Sequence, residues 1–159
     1  MKPFSFLFMF LVFIACNSEK KKNVKPITIE FTKEGELFFM KKKDTITVIN
    51  IEYARTNYEQ QTGLMHRDDM GMDQGMLFVY KDERPRPTFY MKNTKIALDL
   101  IYINAEKRVV EINRNAKPFD ESTIDARQPA QYVLEVKAGF ADKYGISDSV
   151  VVDFNNIKK

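Results

Sequence analysis

The 159-residue chain has no tryptophan, one cysteine, one histidine, six glycines and six prolines. A single cysteine closes no disulfide within the chain and furnishes neither a CxxC pair nor a Cys/His zinc cluster. A single histidine, His66, excludes sites built from several imidazoles and leaves imidazole catalysis to one ring. GxSxG, HExxH, GxGxxG and Walker-type loops are all missing, so no motif calls for a nucleotide, a catalytic zinc or another cofactor. Hydrophobic residues are 44% and charged residues 30%, which fits neither a disordered acidic chain nor an integral membrane protein. The length suits one domain.

One long apolar run is present, and it lies at the start. Lys2 precedes Phe4 to Ala15, which is almost wholly apolar. Twelve helical residues reach only ~18 Å, short of a ~30 Å hydrocarbon core. Positive start, short apolar run and small residue describe a signal peptide over residues 1–15. Phe13-Ile14-Ala15-Cys16 resembles a bacterial lipoprotein lipobox, with Phe13 where Leu is commonest. That resemblance implies cleavage before Cys16 and acylation of its thiol; a secretory signal with a chance cysteine is the plainer alternative. Residues 16–25 then form the anchored cysteine and a polar tether, and 26–159 the domain. The expected location is the bacterial cell envelope, lipid-anchored through Cys16, with the domain facing the periplasm or exterior. An acylated Cys16 also leaves no thiol nucleophile.

The net charge of +3 belongs to this leader and tether, which hold five lysines and one glutamate. From Pro26 onward there are 20 basic and 21 acidic residues, a net of −1. No nucleic-acid partner is expected, because phosphate contacts need a concentrated basic face.

Within the domain the prevailing period is two. Ile27–Phe31, Glu36–Met40, Thr45–Tyr53, Gly75–Tyr80, Thr88–Met91, Leu98–Ile103, Arg108–Asn113, Gln131–Lys137 and Ser149–Phe154 read as short strands rich in β-branched and aromatic residues. Asn57–Met65, capped by Asn57, and Ala138–Tyr144, ending at Gly145, read as short helices. Asn115–Pro129 reads as a long loop. Nine strands and two brief helices predict a mainly β domain, a barrel or sandwich.

Three groups of residues invite a chemical reading. Met65, His66, Met70, Met72 and Met76 fall within twelve residues and could hold Cu(I), since soft ligands select soft metals. The alternative is core and loop methionines, with no metal. Lys92, Asn93 and Thr94 lie between two strands, and Asp99 shares a strand face with Ile101 and Ile103. These four could form a site, or a network in which Asp99 accepts bonds from the 92–94 turn. Glu135 alternates with Val133, opposite Tyr132, Leu134 and Val136, and could pair with Arg67 or Lys92.

Gly63-Leu64-Met65-x-Arg67, Gly75-Met76-Leu77-Phe78-Val79-Tyr80, Phe89-Tyr90-Met91-Lys92-Asn93-Thr94 with Leu98-Asp99, and Pro129-Ala130-Gln131-Tyr132-Val133-Leu134-Glu135 with Gly139 resemble the domain of unknown function 192 family. The likeness runs from about Ile46 to Phe154. Tyr90 replaces the usual Trp, Ala97 the usual Pro, and Ser147-Asp148-Ser149 a Gly-Asp turn. The resemblance implies a jelly-roll-like β-barrel, exported or membrane-anchored, without a closely characterised enzyme among its members. It points to Arg67, Lys92, Asn93, Thr94, Asp99 and Glu135 as site or folding residues. In a binding site Lys92, Asn93, Thr94 and Arg67 would offer donors, and Tyr90 or Phe89 an apolar wall.

The expected function is a non-catalytic binding or accessory module for a small polar or saccharide-like ligand. The alternatives are a hydrolase using Asp99 and Glu135 as general acid and base, and a structural or protein-interaction domain whose partner the sequence does not name.

Overall fold

A computed structural model describes residues 29–156. The expected signal peptide, Cys16 and the expected tether lie outside the described residues. The elements, in chain order, are β1 (Gly35–Lys41), β2 (Asp44–Ala54), α1 (Asn57–Thr62), β3 (Gln74–Arg84), β4 (Leu98–Ile103), β5 (Val109–Ala116), β6 (Ala130–Lys137), α2 (Phe140–Lys143) and β7 (Val151–Asn156). The domain is therefore mainly β, with two short helices.

All seven strands join one sheet in the order β5-β4-β6-β3-β2-β1-β7. Neighbours run antiparallel except β2 and β3, which are parallel. Parallel neighbours require a crossover, and residues 55–73, with α1, supply it. The sheet is an open half-barrel. Its two ends approach at one isolated bridge, Arg108 to Val151, flanked by Val109 N–H to Val150 O at 3.0 Å and Val152 N–H to Lys107 O at 2.8 Å.

Two of the nine expected strands do not form among the described residues. Residues 29–34 carry no regular structure, and 27–28 fall outside the described residues. Glu34 and Glu52 use side chains where a strand would use its ladder: Glu34 accepts the Tyr53 N–H at 2.9 Å, and Glu52 the Thr32 N–H at 2.6 Å. Thr88–Met91 makes one bridge, Phe89 to Ile124, and no strand. Pro85 and Pro87 precede it, and proline cannot donate to a ladder. The loop expected over Asn115–Pro129 forms over residues 117–129, since Asn115 and Ala116 end β5, and it is ordered by that bridge and by Met91 N–H to Asp120 O at 2.8 Å.

The central strands bury both faces, so each reads as a near-continuous apolar run. In β4 all six residues are buried. Leu98, Leu100 and Tyr102 face one cluster with Met76, Phe78 and Val133. Ile101 and Ile103 face the other, with Leu77, Leu134, Val136 and the Phe140 of α2. The first of these clusters is covered by the chain between α1 and β4, through Leu64, Met70, Met91 and Ile96.

Helix α1 starts at Asn57 as expected but ends at Thr62 and not Met65, and its N-cap is Thr56 and not Asn57. The Thr56 hydroxyl accepts the Glu59 N–H at 3.2 Å, and the Glu59 carboxylate accepts the Thr56 N–H at 2.8 Å. This is a capping box, and these backbone hydrogen bonds hold the Glu59 carboxyl below its ordinary range. Among the described residues no helix is long and apolar enough to cross a membrane.

Candidate functional site

Strand register places two acids on one face of the sheet. Glu52 of β2 pairs with Met76 of β3, Met76 with Glu135 of β6, and Glu135 with Leu100 of β4. Partners across a ladder project to the same side, so Glu52 and Glu135 flank Met76 on the face of the Phe78 and Tyr102 cluster. Their strands lie two ladder spacings, roughly 10 Å, apart.

Arg67, from the loop after α1, reaches into this row. Its Nη2 lies 2.6 Å from Glu52 Oε2, with both side chains nearly buried. Neither Glu52 Oε2 nor Arg67 Nε has a directed hydrogen bond, so the contact is a charge contact with poor donor geometry. The ion pair of Arg67 is thus with Glu52, and neither Arg67 nor Lys92 forms one with Glu135; Arg67 still draws the Glu135 carboxyl down through its charge.

Glu135 is buried, 7% exposed, and its Oε2 has no hydrogen-bond partner. Burial outweighs Arg67 and pushes the carboxyl up to about 8. A carboxyl in that state is mostly protonated at neutral pH, because removing the charged form from water is costly.

Above Glu135 lies a cavity of about 310 Å³. Phe78, Tyr80, Phe89 and Tyr90 form aromatic walls, while Asn57, Gln60 and Gln61 present amides from the α1 side. Among the described residues Glu135 is the only acidic or basic side chain lining it. Helix α1 is pinned over this space by Gln60, whose Nε2 donates to Val79 O at 3.0 Å and Ala54 O at 3.3 Å. Phe89 stacks edge-on to Phe78 at 5.3 Å and to Tyr102 at 6.3 Å. The Tyr80 phenol is pushed up to about 12 by burial, and the Arg86 guanidinium sits 4.3 Å over its ring.

Gly63 keeps the floor open. At φ 48° it adopts a conformation that suits glycine, and a Cβ there would stand 3.1 Å from the Phe78 ring and 3.6 Å from Glu135 Oε2. A side chain at 63 would fill the space above the carboxyl.

The remaining candidates divide sharply. Thr94 is buried and lines the cavity, with its hydroxyl donating to Lys92 O at 3.3 Å. Tyr90 stands at the mouth, 45% exposed. Lys92 and Asn93 are exposed and do not line it. Asn93 takes a left-handed turn at φ 56°, and its carbonyl accepts the His66 N–H at 2.9 Å, with His66 also left-handed at φ 64°. The Lys92-Asn93-Thr94 segment is thus a clamp between two loops at this point.

Asp99 is not in the cavity. It is 1% exposed and accepts the Asn115 N–H on Oδ1 at 2.9 Å and the Ala141 N–H on Oδ2 at 3.0 Å. Its partners are therefore the end of β5 and the start of α2, not the 92–94 turn. Asn115 at φ 55° is left-handed and outside the regular ladder, which frees its N–H for Asp99.

The methionine-rich segment spreads over the cavity and both core clusters. Met65 lines the cavity, Met70 and Met76 are buried in the Phe78 cluster, and Met72 packs against the other. His66 is exposed. The sheet sets Met72 apart from the other three, and core packing accounts for Met70, Met72 and Met76.

Phe78, Tyr80, Gln60 and Glu52 were not legible as site residues. Glu52 carried the one available signal, an acid inside a long apolar strand, as Asp99 did.

With this geometry in view, the chain matches the model of the domain of unknown function 192 family (DUF192, Uncharacterized ACR) over residues 38–154. It belongs to that family. Two crystal structures are similar. One, from Sinorhizobium meliloti 1021 and provisionally described as a transcription regulator, is 31% identical over 79% of this chain and 97% of its own, with a TM-score of 0.72. The other, a protein of unknown function from Novosphingobium aromaticivorans DSM 12444, is 36% identical over 74% of this chain and 83% of its own, with a TM-score of 0.69. No curated protein matches.

Proposed function

We propose that this is a lipid-anchored protein of the bacterial cell envelope whose domain binds a small polar or saccharide-like ligand without transforming it. The observation that carries this reading is the Glu135 Oε2 atom, buried and unpartnered at the floor of an open cavity. A buried polar atom without a partner costs about 1–3 kcal/mol, and a ligand donor would relieve that cost. Aromatic walls and convergent amides supply apolar contact and orientation, the ordinary composition of a small-molecule site.

The hydrolase reading needs Asp99 and Glu135 across one cleft. Asp99 pairs with Val136 and Leu100 with Glu135, so the two carboxyls face opposite sides of the sheet. This argues against the pair as acid and base. A nucleic-acid role is likewise unsupported by a domain of net charge −1.

The test is a thermal-shift screen of full-length protein in detergent against mono- and disaccharides and small polar metabolites. A ligand that binds the native state raises the midpoint in proportion to its occupancy. Binding should be lost in Tyr80→Ala and retained in Asp99→Asn. A screen with no shift, or shifts that Tyr80→Ala leaves unchanged, would leave the structural or protein-interaction reading in place.

A further inference from the structure

The cavity above Glu135 carries potential charge of one sign. Among the described residues Glu135 is its only carboxyl, and no lysine, arginine or histidine lines it. Four aromatic side chains surround the space. Ring faces carry negative potential and attract cations placed within about 6 Å. An anionic ligand would meet a carboxyl and no base. A cation would meet a carboxylate and aromatic faces, and an N–H donor would complete the unpartnered Oε2.

We propose that this cavity takes an organic ammonium, a primary or secondary amine whose N–H donates to Glu135 Oε2 while its apolar body lies against Phe78, Tyr80 and Phe89. The inference rests on the ligand-binding reading above and names the ligand class of that same site.

Binding is then linked to a proton. The charged and titratable groups around Glu135 are Arg67 from its loop, Glu52 of β2 paired to Arg67, Tyr80 of β3 and Tyr102 of β4. Burial keeps both phenols protonated, and α1 contributes amides. Arg67 favours the carboxylate but does not overcome burial. A bound ammonium adds a second positive charge, so Glu135 releases its proton as the amine enters. Affinity therefore rises with pH until Glu135 ionises in the free protein, near 8.

The experiment is titration calorimetry of the full-length protein in detergent with benzylamine, its neutral counterpart benzyl alcohol, and methyl glucoside. At pH 8 benzylamine should bind at least tenfold more tightly than benzyl alcohol. Its affinity should fall by roughly tenfold per pH unit below 7. In buffers of differing ionisation enthalpy, up to one proton per site should be released at pH 7. Glu135→Gln should remain folded and lose the preference for the amine. Equal binding of amine and alcohol, binding of methyl glucoside alone, or an amine preference that survives in Glu135→Gln would overturn the ammonium and leave the ligand-binding reading intact. No binding by any of the three would overturn the ammonium and count against the ligand-binding reading as well.

Discussion

Asp99 and Glu135 lie on neighbouring strands and point to opposite faces of the sheet. Register pairs Asp99 with Val136 and Leu100 with Glu135, so one residue of offset sends the two carboxyls apart. Asp99 meets two backbone N–H groups and is fully satisfied. Glu135 meets none on Oε2 and opens to a cavity. Two acids in adjacent apolar strands thus have different surroundings, one bonded to the backbone and one facing a cavity.

Asp99→Asn keeps the shape and replaces one acceptor oxygen by a donor. The amide would then oppose either the Asn115 or the Ala141 N–H in a dry environment. Chemical denaturation should show a loss of about 1–3 kcal/mol with ligand response unchanged in the folded fraction.

Glu135 sets a pH dependence of stability. Its carboxyl is pushed up to about 8 in the folded state from an ordinary 4.5. Below pH 4.5 both states hold the proton and the group is neutral in effect. As pH rises the unfolded chain releases the proton first, so stability falls between about 4.5 and 8 and then levels off. The total loss is at most about 5 kcal/mol. Glu135→Gln should remove that fall: its midpoint should match the parent near pH 4.5 and exceed it at pH 8.

Arg67 holds Glu52 at 2.6 Å with little access to water. Arg67→Met leaves a carboxylate buried without its cation, and should cost about 3–5 kcal/mol. Adding Glu52→Gln removes the orphaned charge while keeping an acceptor for the Thr32 N–H. The double variant should recover part of the loss. Equal stability of single and double variants would show that the pair is not coupled.

The anchor has its own test. Cys16→Ser in the full-length chain should shift the protein from the membrane to the soluble fraction after cell breakage. Unchanged membrane association would remove the lipobox reading.

Much of the fold was legible from periodicity. The run Thr45–Tyr53 alternates, and it became β2; the run Leu98–Ile103, with Asp99 on the face of Ile101 and Ile103, became β4. Glu135 was correctly placed opposite Leu134 and Val136 by the same period of two. The strand expected over Thr88–Met91 failed because local composition cannot report whether a ladder partner is available, and only Ile124 provides one. The N-cap moved to Thr56 because Glu59, three residues on, completes a reciprocal pair with it.

The sequence by itself determined the family, the alternation that orients each strand's residues, the near-neutral charge from Pro26 onward, and the single cysteine at position 16. Only the tertiary structure decided which acids are served and which are not. Local patterning tells to which side a residue points, but not what another strand or loop, dozens of residues away, brings to that side. Asp99 is satisfied because Ala141 and Asn115 arrive beside it, and Glu135 is left open because Gly63 arrives above it with no side chain to fill the space.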